Sequence, residues 1–231
     1  MPELPEVEVV RLFLQSRIVG KTISSLEILN YKSFIGNPTD IKDKKIMNTS
    51  RLGKQLSLYL QNNLILLFHL KMTGQVIYQG ISLGHPTPKE DKTTLPNKST
   101  RLIFTFSDQS KLFFNDQRKF GWVKLLNQSE LIEAQKNLGV DLLSPKFTPK
   151  YFYNQLQSSS RVIKQILLDQ SKFAGIGNIY ANDALFLSHI HPQTVSRQIS
   201  FSQSKILLRH LIKIKAKIKI SMFYFTKGFW H

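Results

Sequence analysis

The chain has 231 residues, with 32 Lys and Arg against 15 Asp and Glu, a formal net charge of +17 and no cysteine. This length admits one large domain or two modest ones, and a hydrophobic content of 42% with 16 Phe excludes a disordered basic tail. The missing Cys excludes a disulfide framework and Cys-ligated zinc, while the charge makes nucleic acid the first partner to expect.

The opening Met1-Pro2-Glu3-Leu4-Pro5-Glu6 is acidic, unlike the cationic start of a signal peptide, and the longest apolar stretch, residues 64–68, is far short of a membrane span. A soluble, intracellular protein without a membrane partner is therefore expected. Pro5 suits the first position of a helix, with Glu6 and Glu8 in the turn that the dipole favours; the helix should run to about Ser16 and end before Gly20. Leu56, Leu58 and Leu60 alternate with polar residues, Asn62-Asn63 supplies a turn, and residues 64–70 are nearly all apolar, which predicts a hairpin. Residues 101–106 and 111–114 predict a second hairpin around Asp108-Gln109. Between the two, residues 83–100 contain Pro86, Pro88 and Pro96 and read as a surface loop.

The character changes after about residue 125. Residues 127–137 are polar, a linker or a connecting helix. Thr148-Pro149 supplies a cap and a first-turn proline for a helix. Ser160 is expected to cap another, whose apolar stripe is Val162, Ile163, Ile166 and Leu167 and which stops at Ala174-Gly175-Ile176-Gly177-Asn178. A further helix follows to Ser188, and Pro192 breaks the chain. Residues 213–220 alternate strictly, as a strand would, yet follow a helical pattern at Ile206, Leu207, His210 and Leu211, so a strand and a basic helix both fit. The class is thus α+β: a β-rich domain over residues 1–125, a linker over 126–147 and a helical domain over 148–231.

Four constellations could carry chemistry. The turn Gly175-Ile176-Gly177-Asn178 lets a backbone approach closely, and the N–H groups opening the next helix suit a phosphate; a plain helix connection would also use such glycines. In Asn115-Asp116-Gln117-Arg118-Lys119-Phe120-Gly121, Arg118 could read base edges and Phe120 could wedge into a base stack, or Phe120 could simply enter the core. His69 could meet a phosphate and Met72 fill the space of an extruded base, although a strand-end His and a lone Met are ordinarily structural. If Met1 is removed, Pro2 becomes a secondary amine; an α-amino group titrates near ~7.7–8.0, so a nucleophilic fraction exists at neutral pH, and Glu3 could move a proton beside it. Met-Pro is otherwise just a common start that is trimmed.

Together and in this order, with Lys54 in Arg51-Leu52-Gly53-Lys54, these pieces resemble the formamidopyrimidine-DNA glycosylase / endonuclease VIII family, and among them the formamidopyrimidine-DNA glycosylases. The opening Met-Pro-Glu-Leu-Pro-Glu-Val-Glu, the run Leu167-Leu168-Asp169-Gln170 into Gly175-Ile176-Gly177-Asn178-Ile179-Tyr180, and Ile190-His191-Pro192 carry the resemblance, which extends to about residue 215. It implies an N-terminal β-sandwich and a helix–two-turn–helix domain with double-stranded damaged DNA between them, acted on by a monomer in a bacterial-type cytoplasm at the nucleoid. The implied activity is a glycosylase/AP lyase for 8-oxoguanine and formamidopyrimidines. Pro2 would attack C1′ and form the Schiff base, Glu3 would help open the sugar, and Lys54 would assist β-elimination. His69 and Asn178 match phosphate contacts, Lys164 a basic residue near the lesion pocket, and Met72, Arg118 and Phe120 the void-filling set.

Departures accompany the likeness. Neither a Gly-Gly segment nor a four-Cys zinc finger is present, so no cofactor is expected and weakened activity is. Ser160 stands where a basic residue is usual, Lys98-Ser99-Thr100-Arg101 where a His-containing segment is, and Asp183 where Glu is. A catalytically impaired remnant that still binds damaged DNA is the alternative. A ribosome- or RNA-binding protein is a third reading, with no use for Pro2-Glu3 or for the Arg118/Phe120 wedge.

Overall fold

The computed structural model describes residues 1–84, 94–213 and 218. Elements follow in the order α1 (Leu4–Arg17), β1 (Thr22–Ile28), β2 (Phe34–Ile35), β3 (Lys44–Leu52), β4 (Gln55–Leu60), β5 (Ile65–His69), β6 (Gly74–Tyr78) and β7 (Ile81–Gly84). Then come β8 (Thr100–Phe106), β9 (Lys111–Asp116), β10 (Trp122–Leu126), α2 (Gln128–Gln135), β11 (Val140–Asp141) and α3 (Pro149–Gln157). Last are α4 (Ile163–Leu168), β12 (Phe173–Ala174), α5 (Asn178–Leu187) and α6 (Phe201–Ile212).

The fold is α+β. Helix α1 starts with Pro5 in its first turn and buries Val7, Val10, Phe13 and Leu14, a stripe at helical spacing. Strands follow in the spatial order β2-β10-β5-β4-β3-β1-β8-β9-β6-β7, with β1 and β3 joining two halves. The halves face one another: Phe68 on β5 meets Phe104 on β8 and Phe114 on β9, with ring centroids 6.0 and 6.1 Å apart. Each buried Leu or Phe contributes about 1.5–3 kcal/mol, and one continuous core runs from α1 through both halves into α3, α4, α5 and α6.

Both predicted hairpins form. In the first, Asn62 and Asn63 take φ of 63° and 57°, the left-handed conformation that Asn tolerates. In the second, Gln109 at φ 66° turns the chain between β8 and β9. The expected loop over residues 83–100 is narrower, because Leu83 and Gly84 pair with β6 and Thr100 with β9; residues 85–93, including Pro86 and Pro88, lie outside the described residues.

In the second half, the side chain of Thr148 accepts from Tyr151 N and caps α3 as expected. Ser160 caps nothing. Helix α4 begins after Val162, whose backbone bridges to Val195, and it ends at Leu168 rather than Ala174. There the Asp169 side chain accepts from Ser171 N, and Gly139 N donates to Gln170 O, so the chain turns into β12, which pairs in parallel with β11. Phe147, Phe152 and Phe173 pack at this junction, the last two with centroids 5.1 Å apart. Helix α6 realises the pattern at Leu207 and Leu211; the alternation over residues 213–220 falls, apart from Lys213 and Ile218, outside the described residues.

Candidate active site and nucleic-acid interface

The start of α1 and the start of α5 meet. The carboxylate of Glu3, only 1% exposed, accepts from Ile179 N at 2.9 Å and Tyr180 N at 3.3 Å, the N–H groups that open α5. Glu3 N donates to Glu6 Oε2 at 2.9 Å, and Tyr180 Oη donates to Glu6 Oε1 at 2.6 Å, so a second carboxylate holds the first in place. Burial pushes the Glu3 carboxyl above its ordinary range; the two backbone donors and the nearby Lys54 charge partly oppose this. Burial and Glu6 push the Tyr180 hydroxyl upward, leaving it a neutral donor.

The glycines of the turn serve this contact. A Cβ on Gly175 would stand 2.9 Å from Leu4 Cβ, and one on Gly177 would stand 2.5 Å from Glu3 Oε2. Two of the helix N–H groups that sequence reasoning assigned to a phosphate are therefore taken by the protein's own carboxylate. Asn178 stays exposed at the end of α5 with its side chain available to an outside anion. Pro2, next to Glu3, is buried beneath the exposed Met1.

Lys54 enters from the β3–β4 turn. Burial lowers its ammonium pKa, while the charges of Glu3 and Glu6 act in the opposite direction. The turn itself is clamped by two residues that sequence reasoning did not single out. Arg51 Nη1 and Nη2 donate to Asp141 at 2.5 and 3.0 Å, and Arg51 Nε donates to Glu8 at 2.8 Å. The residue before Lys54 is fixed at both backbone groups: Gly53 N donates to Asp141 Oδ2 at 2.8 Å, and Gly53 O accepts from Arg51 Nη1 at 2.7 Å.

His69 ends β5. Burial, then the charges of Lys71 and Lys54, lowers its pKa to about 4, so the ring is neutral at physiological pH. Its Nδ1 accepts from Lys71 N at 3.1 Å, which assigns the proton to Nε2 and leaves a single neutral donor. The Lys54 charge thus acts on both Glu3 and His69, while Pro2 adjoins Glu3 in the chain and Asn178 adjoins Ile179, whose N–H Glu3 accepts.

A second group stands beside it. Phe120 is 53% exposed and does not enter the core, and the Arg118 guanidinium lies 4.9 Å from its ring centroid. Met72, 38% exposed, sits on the neighbouring turn between β5 and β6. The two groups adjoin, since Trp122 pairs with His69 and its ring lies 5.5 Å from the imidazole. Lys164 lies half-buried on α4, with its backbone N–H on Pro192 O.

Pairs of Glu and Lys, exposed aromatics and a buried neutral His are separable by sequence only as residue types; Asp141 carried no local signal beyond ordinary charge, and Arg51, Glu6 and Tyr180 stood inside the quoted motifs without a role of their own. No group of three His, Cys, Asp or Glu among the described residues could hold a metal ion, and a chain without Cys cannot supply a four-Cys zinc site. No helix among the described residues is long and apolar enough to cross a membrane.

Comparison with known proteins returns two adjoining family matches: a formamidopyrimidine-DNA glycosylase N-terminal domain over residues 1–123 and a formamidopyrimidine-DNA glycosylase H2TH domain over residues 138–221. Formamidopyrimidine-DNA glycosylase of Bacillus cereus is 35% identical over 212 residues, covering 88% of this chain and 72% of its own length. That of Latilactobacillus sakei is 34% identical over 219 residues, covering 92% and 74%. Among solved structures, the Lactococcus lactis enzyme bound non-covalently to DNA containing an AP site matches with a TM-score of 0.83 at 30% identity, covering 95% of this chain and 82% of that one. The same enzyme with DNA containing a formamidopyrimidine lesion matches at 0.82 and 30%, covering 94% and 80%.

Proposed function

Because the chain belongs to the formamidopyrimidine-DNA glycosylase family, whose members are bifunctional glycosylases and AP lyases, we propose that it excises oxidised purines from duplex DNA and cleaves the resulting abasic site through Pro2. The observation that carries this reading is the seating of Pro2-Glu3 against the opening of α5, with Lys54 brought alongside. Double-stranded DNA as partner is supported by the net charge of +17 and by the DNA-bound state of the solved relatives.

Loss of Met1 frees the Pro2 nitrogen. Its lone pair forms a bond to C1′ as the bond from C1′ to the base breaks, and the base leaves with the bonding electrons and takes up a proton. The amine then loses its own proton. Opening of the sugar breaks C1′–O4′, O4′ accepts a proton from Glu3, and the Pro2 nitrogen shares its lone pair with C1′ to give the iminium. The positive nitrogen acidifies C2′–H; loss of that proton expels the 3′ phosphate, and water returns Pro2.

The side chains fit these demands. A carboxyl raised by burial is a better acid near neutrality than a solvated one, and an ammonium lowered by burial can more readily release a proton and act as a base. Neutral His69 and exposed Asn178 would receive phosphates on either side of the lesion. Met72, Arg118 and Phe120 would fill the space left by the extruded nucleotide, since a base within a duplex is out of reach.

Incubating Met1-processed protein with duplex containing 8-oxoguanine or an abasic site, then adding borohydride, tests the proposal. A covalent adduct that disappears in Pro2→Gly is expected. Protein that shifts DNA but is never trapped would establish the binding-only alternative instead.

A further inference from the structure

Both turns that present Met72, Arg118 and Phe120 hang on one carboxylate. Asp116 ends β9 and is 0% exposed. Its Oδ1 accepts from Thr73 Oγ1 and, at 3.2 Å, from Arg118 N; its Oδ2 accepts from Gly121 N at 2.6 Å. Thr73 Oγ1 in turn accepts from Arg118 N at 3.0 Å. Thr73 follows Met72, while Arg118 and Gly121 bracket the tip that carries Phe120. The bonds therefore fix the residue beside each exposed side chain, across a gap of more than forty positions in sequence.

A buried carboxylate is costly unless its partners are good. Here the counter-charge is Arg101, itself buried on β8, whose Nε donates to the backbone oxygen of the same Asp116 at 2.8 Å. Burial lowers the Arg101 pKa and the Asp116 charge raises it, so the two sense one another. Gly121 has no room for a side chain: a Cβ there would stand 2.8 Å from the Phe114 ring, 3.1 Å from Asp116 Oδ2 and 3.2 Å from His69 O. The exposed tip residue Lys119 takes φ 60° and Lys71 takes φ 51°, left-handed backbone in both turns; Lys119 N donates to Asp116 O and Lys71 N to His69 Nδ1.

We propose that Asp116, with Arg101 as its counter-ion, is a positioning residue that locks the Met72 turn and the Arg118/Phe120 turn into one rigid wedge for opening the duplex. This rests on the wedge assignment made above. The prediction is a selective defect: duplex opening needs a preordered wedge, whereas a single-stranded abasic site has no base pair to open and no stack to enter.

Three measurements on Asp116→Asn decide it. The amide keeps the size of the carboxylate but presents a donor to either Gly121 N–H or Thr73 Oγ–H, so one arm of the network fails. On duplex containing a tetrahydrofuran site flanked by 2-aminopurine, wild-type binding should raise the fluorescence as the wedge unstacks the reporter, and the variant should lose most of that rise. Excision of 8-oxoguanine from duplex should fall by about tenfold or more, the rate equivalent of one buried unsatisfied donor. Borohydride trapping on a single-stranded abasic oligonucleotide should stay within about twofold, a change of less than about 0.5 kcal/mol.

Equal losses on both substrates, or an unchanged fluorescence rise, would overturn the proposal. Thr73→Val removes a single arm and guards against a variant that does not fold; it should show the same selective defect in smaller degree, with Thr73→Ser restoring the wild-type ratio. The fluorescence readout requires no turnover. An enzyme that is never trapped on either substrate would thus refute Pro2 chemistry while the fluorescence still judges the wedge.

Discussion

Adding one methyl group at Gly177 gives the sharpest test of the site. Gly177 has φ −123° and ψ −175°, extended backbone that alanine adopts freely, so any effect is steric. A Cβ there overlaps Glu3 Cδ and stands 2.5 Å from Oε2, against about 3.5 Å or more for an ordinary contact, so the carboxylate must retreat by about 1 Å. Its bonds to Ile179 N and Tyr180 N, now 2.9 and 3.3 Å, would then pass the limit of a hydrogen bond. Overpacking costs about 1–3 kcal/mol and a buried unpaired N–H about 1–3 kcal/mol; the stiffer unfolded chain returns about 0.4–1 kcal/mol. Gly177→Ala should therefore lose about 2–4 kcal/mol in urea denaturation, and a 1 Å displacement at the reacting centre should cut the trapping rate about a hundredfold. In a Glu3→Ala background the same methyl should cost less than about 0.5 kcal/mol, because its obstacle is gone. Wild-type stability and trapping in Gly177→Ala, or an undiminished penalty in the double variant, would refute the reasoning.

Other expectations follow from single side chains. The His69 pKa of about 4 lies below the ordinary 6.5, so its stabilising effect is complete above pH 6.5 and is lost as pH falls toward 4. At pH 5 the loss is about 2 kcal/mol; His69→Gln should flatten that part of the stability profile, and an unchanged slope would remove His69 as its cause. Phe120→Ala should leave the urea midpoint within about 0.5 kcal/mol, since the ring is largely exposed. The same change should weaken binding to an abasic duplex by about tenfold, the usual worth of a stacked aromatic; equal affinities by anisotropy would discard the wedge. Asp141→Asn removes one of the two carboxylates that a buried Arg51 holds, leaving Glu8, and should cost about 2–3 kcal/mol in denaturant, and a loss under about 1 kcal/mol would show that Glu8 and water suffice for the guanidinium.

What sequence could and could not reveal divides along physical lines. Helix α1, the β4–β5 and β8–β9 hairpins and the α3 cap rest on local rules of period, turn chemistry and capping, and all of them form. Helix α4 misled because its apolar stripe continues past the helix: Phe173 and Ala174 are buried as a short strand against β11, a pairing across more than thirty residues that no local window contains. Phe120 was undecidable in sequence, where a wedge and a core aromatic look alike; the fold leaves it exposed, next to a Gly121 whose N–H is held by Asp116. The same limit hid Arg51 and Asp141, which are ordinary charges until the fold brings residue 141 to the β3–β4 turn.

The reversal at Gly175-Ile176-Gly177-Asn178 has the widest consequence. The opening of α5 attracts an anion, and the anion it holds is Glu3, so docking of α1 onto the helical half and placement of the acid are one interaction. A carboxyl whose folded pKa is raised by burial binds its proton more tightly folded than unfolded; its favourable contribution is complete below the unfolded value near 4.5 and is lost as pH rises through the folded value. Ionisation of Glu3 thus works against its own desolvation, a cost that the two N–H groups and the Lys54 charge partly offset. Glu3→Gln, which never ionises, should gain stability relative to wild type on going from pH 4.5 to pH 7, while trapping of the Pro2 adduct falls with the lost acid. Urea midpoints of both proteins at the two pH values measure the difference, and a relative loss for the Gln variant over that interval would mean that the helix opening outweighs burial, leaving Glu3 a stabilising anchor instead of a strained acid.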